Sequence, residues 1–257
     1  MKIIFDKKFL EEYDHTRAGD IGRLEPAYKA LKGDPHYIFV NPKPAPLEAI
    51  ERAHSTKHIK DIKKENHSFK TKLYDIARLA AGGAILCADI AKTGNPAFGL
   101  IRPPGHHASY DSCWGFCYFN NIAVSLLHLR ETSECKRAFI LDFDLHVGDG
   151  NINIMEPLKD YEILNPHANN EESYLKIVKE RLENAKDCDI IVASAGFDQG
   201  IDDWGRLLSP DAYFRIGTMM KEFAEKRCNG KRYALLEGGY NFRKMAINIK
   251  SFCEGFR

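Results

Sequence analysis

Short apolar runs alternate along this chain with longer stretches in which apolar positions recur every three or four residues. Runs of strand length lie at Lys2–Phe5, Ala97–Ile101, Arg137–Asp142, Ile190–Ala195 and Ala234–Glu237, with a weaker one at Tyr37–Val40. The stretch Leu73–Lys92 is Ala-rich and apolar almost all round, which predicts a deeply packed helix. A second helix is predicted over Asn120–Arg130, opened by an Asn-Asn cap. A third spans Glu172–Ala185, with Leu175, Val178 and Leu182 on one face and charges opposite. Ser209-Pro210-Asp211 is a helix start, a capping residue followed by proline, and a last helix runs from near Asn241 to Gly255. Alternation of this kind predicts an α/β fold: three layers, with a mostly parallel central sheet and helices on both faces. Residues 1–257 read as a single domain, and the Pro-rich segment Asn41–Pro46 reads as a surface connection.

Composition narrows the function classes. Lys plus Arg (37) nearly balances Asp plus Glu (36), which argues against a nucleic-acid groove or an acidic tail. No apolar segment is long enough for a transmembrane helix, so no membrane partner is expected. The opening Met1–Asp6 lacks the apolar core and cleavage site of a signal peptide. The seven cysteines are odd in number and form no CxxC pair. That fits free thiols and a cytoplasmic location better than a disulfide framework, and the Cys113–Cys117 spacing is not a usual zinc-knuckle signature.

The chemistry concentrates in Asp142-Phe143-Asp144-Leu145-His146-Val147-Gly148-Asp149-Gly150, which follows the apolar run Ala138–Leu141. Residues two apart on a strand face one way, so Asp142, Asp144 and His146 line one side as the strand enters a Gly-containing loop. Burying two carboxylates together is costly unless a cation or proton offsets the charge, and a bound metal is the simplest answer. Ligands of open α/β sheets bind beyond the carboxyl ends of the strands. The other conspicuous polar groups fall there too: Arg102–His107, Gly196-Phe197-Asp198 and Gly238-Gly239-Tyr240. Alone, Asp198 reads as a turn carboxylate; beside the Asp144–His146 pair it reads as a third ligand. Adjacent histidines alone could be an exposed turn, but Pro-Pro-Gly before His106-His107 and Ala after them favour a fixed, buried one.

The order and wording of these motifs resemble the histone deacetylase and acetylpolyamine amidohydrolase family, within the arginase-deacetylase fold. Gly115-Phe116-Cys117-Tyr118-Phe119-Asn120-Asn121 is similar to that family's segment after the histidine pair, and the likeness runs from Ala53-His54-Ser55 to the C-terminus. The resemblance implies one Zn²⁺ held by Asp144, His146 and Asp198, with room for water and substrate. It implies proton transfer by His106 and His107, supported by Asp142 and Asp149 respectively, and an oxyanion hydrogen bond from Tyr240 on its Gly-Gly hinge. It also implies K⁺ beneath the site, bound by Asp142 and the carbonyls of Asp144 and His146. Gly115, Phe116 and Gly239 would touch substrate, with Phe116 walling an acyl-lysine channel; as a plain aromatic, Phe116 could equally be core, as could Phe197 and Trp204. His54 matches a family position but reads as an ordinary packed histidine, and nothing is assigned to His15, Arg17 or Arg23.

The chain departs from the family pattern between Gly150 and Asp198, which is short. The usual intervening strand and the aromatic Pro/Gly-rich loop that walls the channel are not recognisable in Met155–Tyr161 or Asn165–Asn170. The opposite wall is therefore open to question, and a second subunit of a homo-oligomer could complete it. The reading that results is a cytoplasmic, zinc-dependent hydrolase removing an acetyl or related acyl group from an acylated amine, such as acetyl-lysine or an acetylpolyamine. The alternatives are a catalytically inactive metal- or ligand-binding relative and an arginase-like ureohydrolase with two Mn²⁺. Val147 after His146 and Gln199-Gly200 after Asp198 favour a single metal.

Overall fold

In a computed structural model, which describes residues 1–65, 71–133 and 135–257, the apolar runs lie side by side in one parallel sheet. Its strands are β1 (Lys2–Ile4), β2 (Ile38–Val40), β3 (Ala97–Gly99), β4 (Ala138–Asp142), β5 (Tyr161–Leu164), β6 (Ile190–Ala195) and β7 (Arg232–Leu236). The order across the sheet is β2-β1-β3-β7-β6-β4-β5, and every pairing is parallel. All residues of β3, β4, β6 and β7 are buried. A parallel sheet covered on both faces requires this, which is why these strands read as continuous apolar runs and not as alternating patterns.

The helices are α1 (Glu25–Lys32), α2 (Leu47–Glu51), α3 (Thr56–Lys64), α4 (Leu73–Ala91), α5 (Asn121–Thr132), α6 (Asp149–Met155), α7 (Glu171–Glu183), α8 (Pro210–Arg227) and α9 (Phe242–Phe256). α4 packs on β3, β7 and α5, while α8 packs on β6, β7 and α9. The predicted caps form: Asn120 accepts from the Ala123 N–H, and Ser209 accepts from the Ala212 N–H with Pro210 opening the helix. Among the described residues, no helix is long and apolar enough to cross a membrane. All seven cysteines are free, six of them buried.

The strand β5 corrects the sequence expectation that residues between Gly150 and Asp198 hold no recognisable strand. Tyr161–Leu164 pairs in parallel with Ala138–Leu141. It escapes notice because it is a four-residue edge strand with only its two ends buried. Glu162 is taken up by Arg181 and the Lys186 N–H, and four residues are too few for a periodicity to stand out. The short helices α1, α2, α3 and α6 were likewise not expected. Arg102, fully buried after β3, fastens the irregular N-terminal segment by donating to the carbonyls of Phe9, Glu11, Ala18 and Asp20.

Candidate metal and proton-transfer site

Sheet order explains why residues far apart in sequence meet. β3, β7, β6 and β4 are consecutive neighbours, so the loops leaving their carboxyl ends share one rim. Asp142 stands opposite Ser194, and Ala195 opposite Leu236. Asp144, His146 and Asp198 thereby bring one ligand atom each within 4.8 Å of the others. Both carboxylates are buried, at 5% and 0% exposure, while the imidazole is 40% exposed and open to an incoming molecule. His146 Nδ1 lies 3.1 Å from Asp144 Oδ1 and 3.2 Å from Asp198 Oδ2. The remaining oxygens are pinned from behind: Gly238 N–H donates to Asp144 Oδ2 (2.8 Å) and Leu145 N–H donates to Asp198 Oδ1 (3.0 Å).

These residues fit a divalent metal of the zinc type. Asp198 Oδ2 is a buried oxygen with no hydrogen-bond donor, the kind of atom a structure leaves bare only at cost. The space beside it is kept open by Gly238, where a Cβ would come within 2.5 Å of Asp144 Oδ2 and 2.6 Å of Asp198 Oδ2. One nitrogen and two oxygens match an open catalytic zinc set. The charges show the same tension. Burial, and then the charge of Asp144, pushes Asp198 up to about 6. Burial also acts upward on Asp144, but His106, His146 and backbone donors outweigh it and hold it well below the usual carboxylate range. The hydrogen bond to Asp144, with the close Asp198 carboxylate, raises His146 to about 10.

The two histidines sit on the turn after β3, and both are 3% exposed. Glu237 at the end of β7 fixes that turn, its Oε2 accepting from the Gly105 N–H (2.6 Å) and the His106 N–H (3.1 Å). His106 Nδ1 donates to Asp142 Oδ2 (3.2 Å), and His107 Nδ1 donates to Asp149 Oδ1 (2.6 Å). The pairings implied by the resemblance are therefore present as contacts. Their surroundings drive the two rings apart. Burial works against the His106 imidazolium, but Asp144 and Asp142 prevail and raise it well above its ordinary value. Burial and then His106 lower His107 to about 4, against the pull of Asp149. A second metal-competent cluster, His106, Cys117 and Glu237, overlaps this turn. Part of it holds the backbone: Cys117 Sγ accepts from the His107 N–H (3.4 Å) and Glu237 Oε2 from the other two N–H groups, while Glu237 Oε1 is buried with no hydrogen-bond partner.

Tyr240, following its Gly-Gly hinge, is packed and 9% exposed. Trp204 stacks on it at 4.0 Å and 22°, Phe116 meets its ring edge-on at 5.9 Å, and the Arg23 guanidinium lies 5.5 Å from its ring centre. Asp203 Oδ2 accepts from the N–H groups of Tyr240 (2.7 Å) and Asn241 (2.8 Å), and Gly239 makes the turn at φ 125. Gly115 (φ 58) lets the chain press on His107, since a Cβ there would lie 2.4 Å from the imidazole. Phe116 is half-buried at the mouth, Phe197 is core at 0% exposure, and Trp204 is 51% exposed, which resolves the three ambiguous aromatics differently. His54 is an interior histidine.

Four supporting residues lay outside the sequence reading. Trp114 covers His107 at 3.9 Å and donates its indole N–H to Asp149 Oδ2 at 2.8 Å. Arg23 is fully buried and donates to the carbonyls of Glu237 and Gly239. Glu237 and Asp203 hold backbone N–H groups, as described above. Only Glu237 carried a signal, a carboxylate ending an otherwise apolar run.

Comparison with known proteins shows the family of the chain. The family model described as "Histone deacetylase domain" matches residues 18–174 and 159–256. A "Probable deacetylase" of Methanothermobacter thermautotrophicus is 34% identical over 170 residues, covering 60% of this chain and 51% of that protein. A "Probable deacetylase" of Archaeoglobus fulgidus is 30% identical over 250 residues, covering 79% of this chain and 69% of that protein. The chain thus spans about half the length of the first relative and about two thirds of the second. Among solved structures, the HDA15 HD domain superposes with a TM-score of 0.83 at 23% identity, covering 98% of this chain and 88% of that one, and supports the fold. The parallel sheet, the strand-end site and the family match together show that this chain belongs to the histone deacetylase family.

Proposed function

We propose that this chain is a zinc-dependent amide hydrolase that removes an acetyl or related acyl group from an acylated amine, acetyl-lysine and acetylpolyamines being the first candidates. The observation that carries the proposal is the convergence of Asp144, His146 and Asp198 on one point beside the His106–Asp142 and His107–Asp149 pairs. Asp144, His146 and Asp198 would hold the zinc ion. When bound, it would supply Lewis acidity toward the amide carbonyl and make a water easier to deprotonate.

The chain's own residues account for the rest. His107, lowered to about 4 and oriented by Asp149, is neutral at working pH and accepts the water proton. His106, oriented by Asp142, is the partner acid, and the histidine pair returns a proton to the leaving amine as the C–N bond breaks. Two groups whose environments push their proton affinities apart are suited to separate acid and base roles. The Tyr240 hydroxyl, kept protonated by burial, donates to the carbonyl oxygen as negative charge develops there. Gly115, Phe116 and Gly239 contact the acyl-amine substrate. Asp142 and the carbonyls of Asp144 and His146 would hold a K⁺ ion, which belongs to the same proposal. So do a cytoplasmic location, suggested by the free thiols, and one catalytic domain over residues 1–257.

A fluorogenic acetyl-lysine substrate tests this directly. Zinc-loaded protein should turn it over, a chelator should abolish turnover, and Tyr240→Phe should lower kcat by about two orders of magnitude, the scale for loss of one oxyanion donor. Loaded protein that hydrolyses no acylated amine in a panel of peptides, amino acids and polyamines would contradict the proposal.

A further inference from the structure

Two thiols meet at the end of the sheet opposite the metal ligands. Cys188 stands just before β6, and Cys228 closes α8 shortly ahead of β7. β6 and β7 pair in parallel, so their amino ends bring the two cysteines together across 40 positions of sequence, with Sγ 3.5 Å from Sγ. Asp198 follows the other end of β6. Both thiols are free and buried, Cys188 at 8% exposure and Cys228 at 2%. The juncture around them is braced. Arg227 donates to the Ala185 carbonyl (2.9 Å) and to Asp187 Oδ1 (3.1 Å), and the Lys231 N–H donates to the Cys228 carbonyl (3.0 Å). Cys188 also lines a surface cavity of about 200 Å³ with Arg137, Tyr161 and Lys186, so it is the thiol that solvent reaches first.

We propose that Cys188 and Cys228 form a modification site, at which a small-molecule disulfide converts the two thiols into a reversible cross-link between the base of β6 and the end of α8. The sulfurs must approach by about 1.5 Å to reach bonding distance. Cys188 lies in a loop and Cys228 is a helix cap, so neither side chain is locked inside a regular element. Cys188, as its thiolate, attacks one sulfur of the small disulfide. The small S–S bond breaks and one small thiolate leaves, which gives a mixed disulfide on Cys188. Cys228 then loses its proton and attacks Cys188 Sγ, expelling the second small thiolate. The chain gives up two electrons and two protons, and the small disulfide takes them to become two thiols. The order follows from access, and the local charges agree with it. The hydrogen bond from Cys228, helped by Arg227, outweighs burial and holds the Cys188 thiol below its ordinary value. The segment that the bond closes carries β6, Asp198 and α8. Closing it restricts the unfolded chain and leaves the metal ligands, at the far end of β6, where they are.

The test exposes the full chain to oxidised glutathione and maps the products by non-reducing peptide mass spectrometry. The unaltered chain should lose two hydrogens and yield one cross-linked pair of peptides, containing Cys188 and Cys228. Thermal unfolding should then shift upward by about 4–8 °C, and dithiothreitol should reverse both changes. Zinc uptake, read with a chromophoric chelator, should be the same before and after oxidation. Cys228→Ser should stop at one glutathione on Cys188, and Cys188→Ser should leave Cys228 unmodified. The mapping of the unaltered chain stands even if a variant folds poorly. Glutathione bound at other cysteines with no Cys188–Cys228 link would overturn the inference, as would a link that leaves the unfolding temperature unchanged or lowers it. Loss of zinc uptake on oxidation would equally contradict a cross-link confined to the base of the sheet. None of these outcomes depends on hydrolysis, so the hydrolytic reading is tested separately.

Discussion

Acid should weaken this fold through one histidine that never touches substrate. His54 is 1% exposed, its Nδ1 donates to the Ser109 carbonyl at 2.9 Å, and its Nε2 accepts the Asn120 N–H at 2.8 Å. The ring is neutral by construction, and burial followed by the neighbouring His58 holds it at about 3. In the unfolded chain an imidazole titrates near 6.5. Above that value neither state binds the proton and His54 has no effect on the pH dependence. Between about 6.5 and 3 only the unfolded chain binds it, so stability falls by about 1.4 kcal/mol per pH unit, or about 2 kcal/mol by pH 5. The loss reaches the site, because the Asn120 side chain caps α5 and donates to the carbonyl of Ala108, next to His107. Urea unfolding from pH 7.5 to 4.5 of the wild type and His54→Gln would measure it. The variant should start about 1–3 kcal/mol less stable, since the Asn120 N–H loses its acceptor, and the gap should narrow by about 1.4 kcal/mol per unit below pH 6.5. Two curves that stay parallel would refute the assignment of a neutral, buried His54.

Three further outcomes follow from the site. Trp114→Phe keeps a ring over His107 but removes the N–H bond to Asp149; at this half-exposed carboxylate kcat should fall about threefold to tenfold with little change in KM, and equal kcat would show that the bond does not position His107. Gly238→Ala places a Cβ on Asp144 and Asp198, and should weaken zinc binding at least about 10-fold, the scale reached when a ligand's support is disturbed, as read by competition with a chromophoric chelator; wild-type affinity would contradict the cradle. His146, held at about 10 without metal, must surrender a proton to bind it. Apparent zinc affinity should therefore rise about tenfold per pH unit between pH 6.5 and 9, with close to one proton released by calorimetry in buffers of different ionisation enthalpy; zero release would contradict the arrangement.

The sheet was legible in the sequence because four of its strands are buried on both faces and so appear as unbroken apolar runs. The metal ligands and histidine pair were legible because carboxylates and imidazoles at the ends of such runs have no place in a plain core. Strand β5 was hidden by its half-exposed edge position and its length of four residues. The role of Trp114 was hidden for another reason: its bond crosses 35 positions to Asp149, and nothing local in Ser-Cys-Trp-Gly announces it. Arg23 is the same case over a longer span, reaching carbonyls at Glu237 and Gly239. Groups that act by touching metal or substrate carry their chemistry in residue type; groups that act by fixing a backbone turn reveal themselves only once the chain is folded.

The most direct test counts metal. Purified chain should take up one Zn²⁺ and release acetate from an N-acetylated alkylamine in proportion to loading, and Asp198→Ala should lose both together. Two metals per chain, or full loading retained without Asp198, would contradict the assignment of Asp144, His146 and Asp198 as the ligands of a single ion.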